Sequence, residues 1–110
     1  MDLQNLAALL DHTLLRPEAT KAEVLRLCEE ARRYGLGAIF IHSCYLSCYL
    51  DLAVAALAGT AIRVGVPIGF PFGSQTMHTK VSEAVEARER GAVELDMVLN
   101  IGRLKSGEYD

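Results

Sequence analysis

Short apolar runs alternate with helical stripes along this chain, and that alternation limits the fold more than any single residue does. Ala38-Ile39-Phe40-Ile41, residues 62–70 and residues 93–99 are runs of strand length. Between and before them, Val24, Leu27, Cys28 and Ala31, then Leu46, Leu50, Ala53, Val54 and Leu57, then Met77, Val81, Ala84 and Val85 recur at helical spacing. Residues 11–15 predict a further strand ending near Leu15, because Pro17 biases Arg16 toward an extended backbone. Leu3, Leu6, Ala7 and Leu10 predict a short N-terminal helix. Each strand–helix unit takes about 25–30 residues, the repeat of a parallel sheet. An open doubly wound sheet and a (β/α)8 barrel both begin this way. The loop after the first strand, Arg16-Pro17-Glu18-Ala19-Thr20, lacks the glycine pattern of a nucleotide site.

Local signals punctuate these units. Thr20 and Glu23 form a T-x-x-E capping box ahead of the first long stripe. Gly35 is placed to end that helix in a left-handed conformation, and Gly59 and Gly91 close the next two stripes. The third strand carries Gly65, Pro67 and Gly69. Proline removes a ladder donor, so a bulge or an unpaired position is expected there. Phe70-Pro71-Phe72-Gly73 reads as a turn, and residues 102–110 as a loop or the first turn of another helix.

The run Glu94-Leu95-Asp96-Met97-Val98-Leu99-Asn100 poses a chemical question. Its composition is that of a parallel strand covered on both faces. A carboxylate in the middle of such a strand is costly unless it is paired. Asp96 therefore needs either a structural partner or a chemical role. Glu94 lies two residues earlier, on the same side, where a base such as Arg63 could neutralise it.

The net charge of −3 and pI near 5.6 give no basic field for nucleic acid or anionic lipid. No apolar run approaches the length of a membrane span, and the N-terminus lacks the basic start of a secretion signal. Three cysteines without framework spacing suggest reduced thiols and a cytoplasmic setting. His42, Cys44 and Cys48 do not follow a zinc pattern, so no metal is expected. Cys28 falls on an apolar stripe and reads as core, whereas His12 and His78 read as surface or hydrogen-bonded. Lys21 and Lys80 are expected to be solvated helix residues.

Several segments together resemble deoxyribose-phosphate aldolase. They are Asp11-His12-Thr13-Leu14-Leu15-Arg16-Pro17, Ile68-Gly69-Phe70-Pro71-Phe72-Gly73, Glu94-Leu95-Asp96-Met97-Val98-Leu99-Asn100-Ile101-Gly102, and Leu104-Lys105-Ser106-Gly107. Their order and spacing match the N-terminal half of that family. The resemblance implies half of a TIM (β/α)8 barrel: four parallel strands with helices and a short N-terminal helix. Residues 1–110 would form a single incomplete barrel domain. It also implies a class I lyase that cleaves 2-deoxy-D-ribose 5-phosphate to D-glyceraldehyde 3-phosphate and acetaldehyde through a lysine Schiff base, with no cofactor and no metal. Asp96 matches the family's proton-transferring aspartate, and Asp11 and Thr13 match residues lining the substrate pocket. The family's Schiff-base lysine and its helper belong to the other half of the barrel, and Lys105 matches neither.

Four βα units would leave two open sheet edges and a bare interior. The chain is therefore expected to form a homo-oligomer or to pair with a second half-barrel. Its small-molecule partner is, by the resemblance, a phosphosugar.

Overall fold

The computed structural model describes residues 2–46 and 50–110, with the backbone alone at 45, 46, 50 and 51. Helix α1 spans Leu3–Ala7 and leads into strand β1, Asp11–Leu14. Helix α2, Lys21–Tyr34, is followed by β2, Ala38–Ile41, and a 3-10 turn, Ser43–Leu46. Helix α3, Leu50–Ala56, precedes β3, Arg63–Ile68. Helix α4, Met77–Glu89, precedes β4, Glu94–Met97, and the chain continues into α5, Ile101–Lys105. The alternation expected from the sequence is thus present among the described residues, with Leu46 in the 3-10 turn ahead of α3, and residues 102–110 begin within a short helix.

Strand order settles the choice between the two parallel architectures. The sheet runs β1-β2-β3-β4, with each strand parallel to the next in sequence. An open doubly wound sheet reverses direction near its first strand, whereas a barrel adds strands in sequence order. The fold is therefore an arc of a barrel.

Register divides the sheet residues into two sets. Asp11 stands beside Ala38 and Arg63, Thr13 beside Phe40 and Gly65, and Pro67 beside Asp96. These side chains share the face that carries no helix. Ile39, Ile41, Val64, Val66 and Ile68 alternate with them and pack against the helices, where they meet Val24, Leu27, Cys28, Ala31, Ala53, Leu57 and Ala87. The core is this single layer between sheet and helices.

Helix α2 forms as its sequence dictates. Thr20 Oγ1 accepts from the Glu23 backbone N–H at 3.3 Å, and Glu23 Oε2 accepts from the Thr20 backbone N–H at 2.7 Å. Gly35 ends the helix at φ 64°, and all four residues of the expected stripe are buried.

Pro67 takes the unpaired position that the sequence allowed, and two other expectations fail, each for a physical reason. The Arg63 N–H donates to the Gly37 carbonyl, so odd-numbered β3 residues point their backbone groups toward β2. The β2–β3 register ends at Phe40 and Gly65, so the donor missing from Pro67 faces a stretch where the ladder has already stopped. Strand β4 is not covered on both faces: Leu95, Asp96 and Met97 are exposed. The α4 stripe is also largely exposed, with Met77, Val81 and Val85 at 70%, 55% and 50%. The two failures share a cause. Met77, Val81, Leu95, Met97, Leu99 and Leu104 line one open apolar groove of about 540 Å³ beside the sheet's last strand.

Candidate active site

The site lies on the helix-free face, and its floor is set by a close approach. The Phe40 ring covers Gly65 so tightly that a Cβ there would fall 2.4 Å from Phe40 Cζ. Only glycine permits that contact. Above it, Asp11, Thr13, Phe40, Pro67, Phe70 and Asp96 line a cavity of about 230 Å³. The three residues singled out from the sequence therefore meet, although β1 and β4 are the outer strands of the sheet. Thr13 Oγ1 donates to the Asp11 carbonyl at 3.4 Å, a weak bond.

Asp96 is exposed rather than buried, which corrects the sequence reading of its strand. The cause is the missing cover on the helix-free face. Among the described residues, its carboxylate has no hydrogen-bond or ion-pair partner. Glu94, by contrast, has the suggested structural partner: its Oε1 lies 2.7 Å from Arg63 Nε.

The strand-end loops are held from behind. Ser43 Oγ donates to Glu83 Oε1, and the Gly69 N–H donates to Glu83 Oε2 at 2.8 Å. Lys80 Nζ donates to the Val98 carbonyl at 2.8 Å. Lys80 is 9% exposed, which overturns the expectation of a solvated helix lysine. A signal for this was present: Lys80 stands at i+3 from Met77, inside the apolar stripe. The Phe70–Gly73 turn caps the same end of the sheet, with Gly73 at φ 66°. Its missing Cβ leaves room for the Leu99 carbonyl, which would otherwise lie 2.3 Å away.

The other candidates are placed as follows. His12 Nε2 lies 2.8 Å from Glu30 Oε2, on the helix side of the sheet. His42 Nε2 lies 2.6 Å from the Leu15 carbonyl and its ring stacks edge-on with Phe70, so it serves the rim of the site. Cys44 is exposed and Cys28 is buried, while Cys48 lies outside the described residues. Lys21, Lys80 and Lys105 do not line the cavity. Among the described residues, no helix is long and apolar enough to cross a membrane.

Parallel strands added in sequence order define the class: a segment of a (β/α)8-barrel scaffold. The chain is homologous to deoxyribose-phosphate aldolases. It is 53% identical over 108 residues to the one from Caldanaerobacter subterraneus subsp. tengcongensis, a match covering 98% of this chain and 45% of the relative. It is 46% identical over 110 residues to that of Clostridium kluyveri, covering 100% and 49%. The chain thus spans about half the length of the curated relatives it matches. No family model matches. Among solved structures, a tetrameric deoxyribose phosphate aldolase from Aeropyrum pernix aligns with a TM-score of 0.80 at 33% identity, covering 92% of this chain and 42% of that one. QR15, an aldolase, aligns at 0.83 and 31%, covering 94% and 44%.

Proposed function

We propose that this chain supplies one wall of a deoxyribose-phosphate aldolase site. Asp96 moves the proton, and Asp11 and Thr13 bind the substrate. The observation that carries the reading is the meeting of these three residues at one cavity, from opposite ends of the sheet. Aldol cleavage through a Schiff base requires a proton to move on and off a carbinolamine and then an enamine. A free carboxylate at a strand end, facing a small cavity, suits that task. The lysine that would form the Schiff base with 2-deoxy-D-ribose 5-phosphate is not among those lining this cavity. In this reading the 110-residue chain alone is inactive, the reaction needs neither metal nor cofactor, and the protein works in the cytoplasm. Borohydride reduction in the presence of acetaldehyde tests it. The chain alone should gain no adduct. Mixed with the remaining segment of an aldolase relative, the adduct should form on that segment, and Asp96→Asn should abolish turnover. Turnover that survives Asp96→Asn would remove the proposed role.

A second reading, that of a half-barrel assembly unit, draws on the unpaired outer edges of β1 and β4 and on the apolar groove beside β4. A second copy of the chain, or another half-barrel, would cover them. Light scattering of the 110-residue chain at micromolar concentration tests pairing with a second copy, and an ideal, non-associating monomer counts against it.

A further inference from the structure

We propose that Lys80 and Glu83 are positioning residues that fix the wall of the candidate site from the helix layer. The inference rests on the aldolase reading only for what that wall does. Both side chains leave the same turn of α4, three residues apart, and each ends on a strand-end loop. Glu83 spans two loops at once, accepting from Ser43 Oγ after β2 and from the Gly69 N–H after β3. Lys80 takes the third, donating to the Val98 carbonyl after β4.

The residues they hold are adjacent in sequence to the cavity lining. Gly69 precedes Phe70, and Val98 follows Asp96 by two residues. Phe70, Asp96 and Val98 all line the cavity. Gly69 also carries the Lys80 stem: a Cβ there would fall 2.9 Å from Lys80 Cε and 3.2 Å from Gln75 Oε1. An ammonium buried to this degree is costly unless it is hydrogen-bonded, so the Val98 carbonyl is a strong anchor for it. One helical turn therefore ties three successive strand ends to a common frame. These ties add to the β3–β4 ladder, which pairs Pro67 with Asp96 and Ile68 with Met97, and they act just beyond its end, where the Val98 N–H also donates to the Ile68 carbonyl at 2.8 Å.

Nuclear magnetic resonance of the 110-residue chain tests this without any activity. In Lys80→Met, the side-chain carboxyl resonance of Asp96 and the amides of Met97 and Val98 should shift, while those of Cys28 and Ala31 in α2 stay in place. Lys80→Arg keeps a donor and should return the Asp96 resonance toward its original position. In Glu83→Ala, hydrogen exchange at the Gly69 amide should quicken about tenfold or more, with α2 protection unchanged. A residue that merely contributes stability would change protection throughout the chain and would not move Asp96 selectively. Unmoved Asp96 and Val98 resonances in Lys80→Met, or equal changes in α2, would overturn the proposal. If Lys80→Met does not fold, Glu83→Leu, which keeps no acceptor, carries the test through the same Gly69 amide, and unchanged exchange there is equally fatal. Loss of the aldolase reading in the borohydride experiment would leave these results standing.

Discussion

Arg63 Nε meets Glu94 Oε1 at 2.7 Å across β3 and β4, on the sheet face that carries no helix. Their side chains are 49% and 29% exposed, so solvent screens the pair. A double-mutant cycle with Arg63→Ala and Glu94→Gln, read by urea denaturation, should give a coupling of about 0.2–1 kcal/mol. That coupling should shrink in molar salt. A coupling well above this range would mean that the pair is buried in solution, for instance under a second copy of the chain.

The Phe40 ring over Gly65 predicts a size-limited floor. Gly65→Ala should destabilise the chain by about 1–3 kcal/mol, because a methyl group has no room beneath the ring. Phe40→Leu in the same chain should restore part of the loss, since it removes the atoms that clash. If Gly65→Ala melts at the temperature of the original chain, the close contact is absent in solution.

Acid should loosen the start of α2. The Thr20 backbone N–H, with Arg16 and the Thr20 hydroxyl beside it, holds the Glu23 carboxyl down at about 2, against an ordinary value of 4.5. A carboxyl with a lowered folded-state value stabilises the fold above its unfolded value. That contribution is fully present above pH 4.5 and drains away as pH falls toward 2. Thermal melts between pH 2 and 6 should therefore show a slope that Glu23→Gln reduces. Identical slopes for the two proteins would deny the effect.

The cysteines should separate by reactivity. Burial pushes the Cys28 thiol up to about 11, whereas Cys44 is exposed. A maleimide at about pH 8 should label Cys44 in the folded chain and reach Cys28 only after unfolding in guanidinium, because the thiolate is the reacting form. Peptide mass mapping reads this directly. Labelling of Cys28 at the rate of Cys44 would show that α2 opens readily.

The layered part of the fold was legible because its signals are local. A capping box, a glycine stop and a stripe at i, i+3, i+4 and i+7 fix α2 wherever the chain lies. The apolar run Ala38–Ile41 is likewise buried in full. Lys80 was misread because a lysine's environment depends on what its long stem can reach, here the Val98 carbonyl 18 residues later. Asp96 was misread in burial because composition reports the environment of a strand with neighbours on every side, and β4 ends the sheet in this chain.

Sequence by itself determined the order of strands and helices and the helix-side core, and it nominated the three candidate site residues. The first two follow from short-range periodicity and capping chemistry, whereas Asp11 and Thr13 were singled out only by the family resemblance. Tertiary structure showed through strand pairing what the resemblance had only implied: the strands add in sequence order as a barrel arc, and Asp11, Thr13 and Asp96 face one cavity. It also decided that Lys80 and Glu83 tie the strand ends together. Register and strand order are set by pairing between distant segments, and no local pattern records which segment will stand beside which.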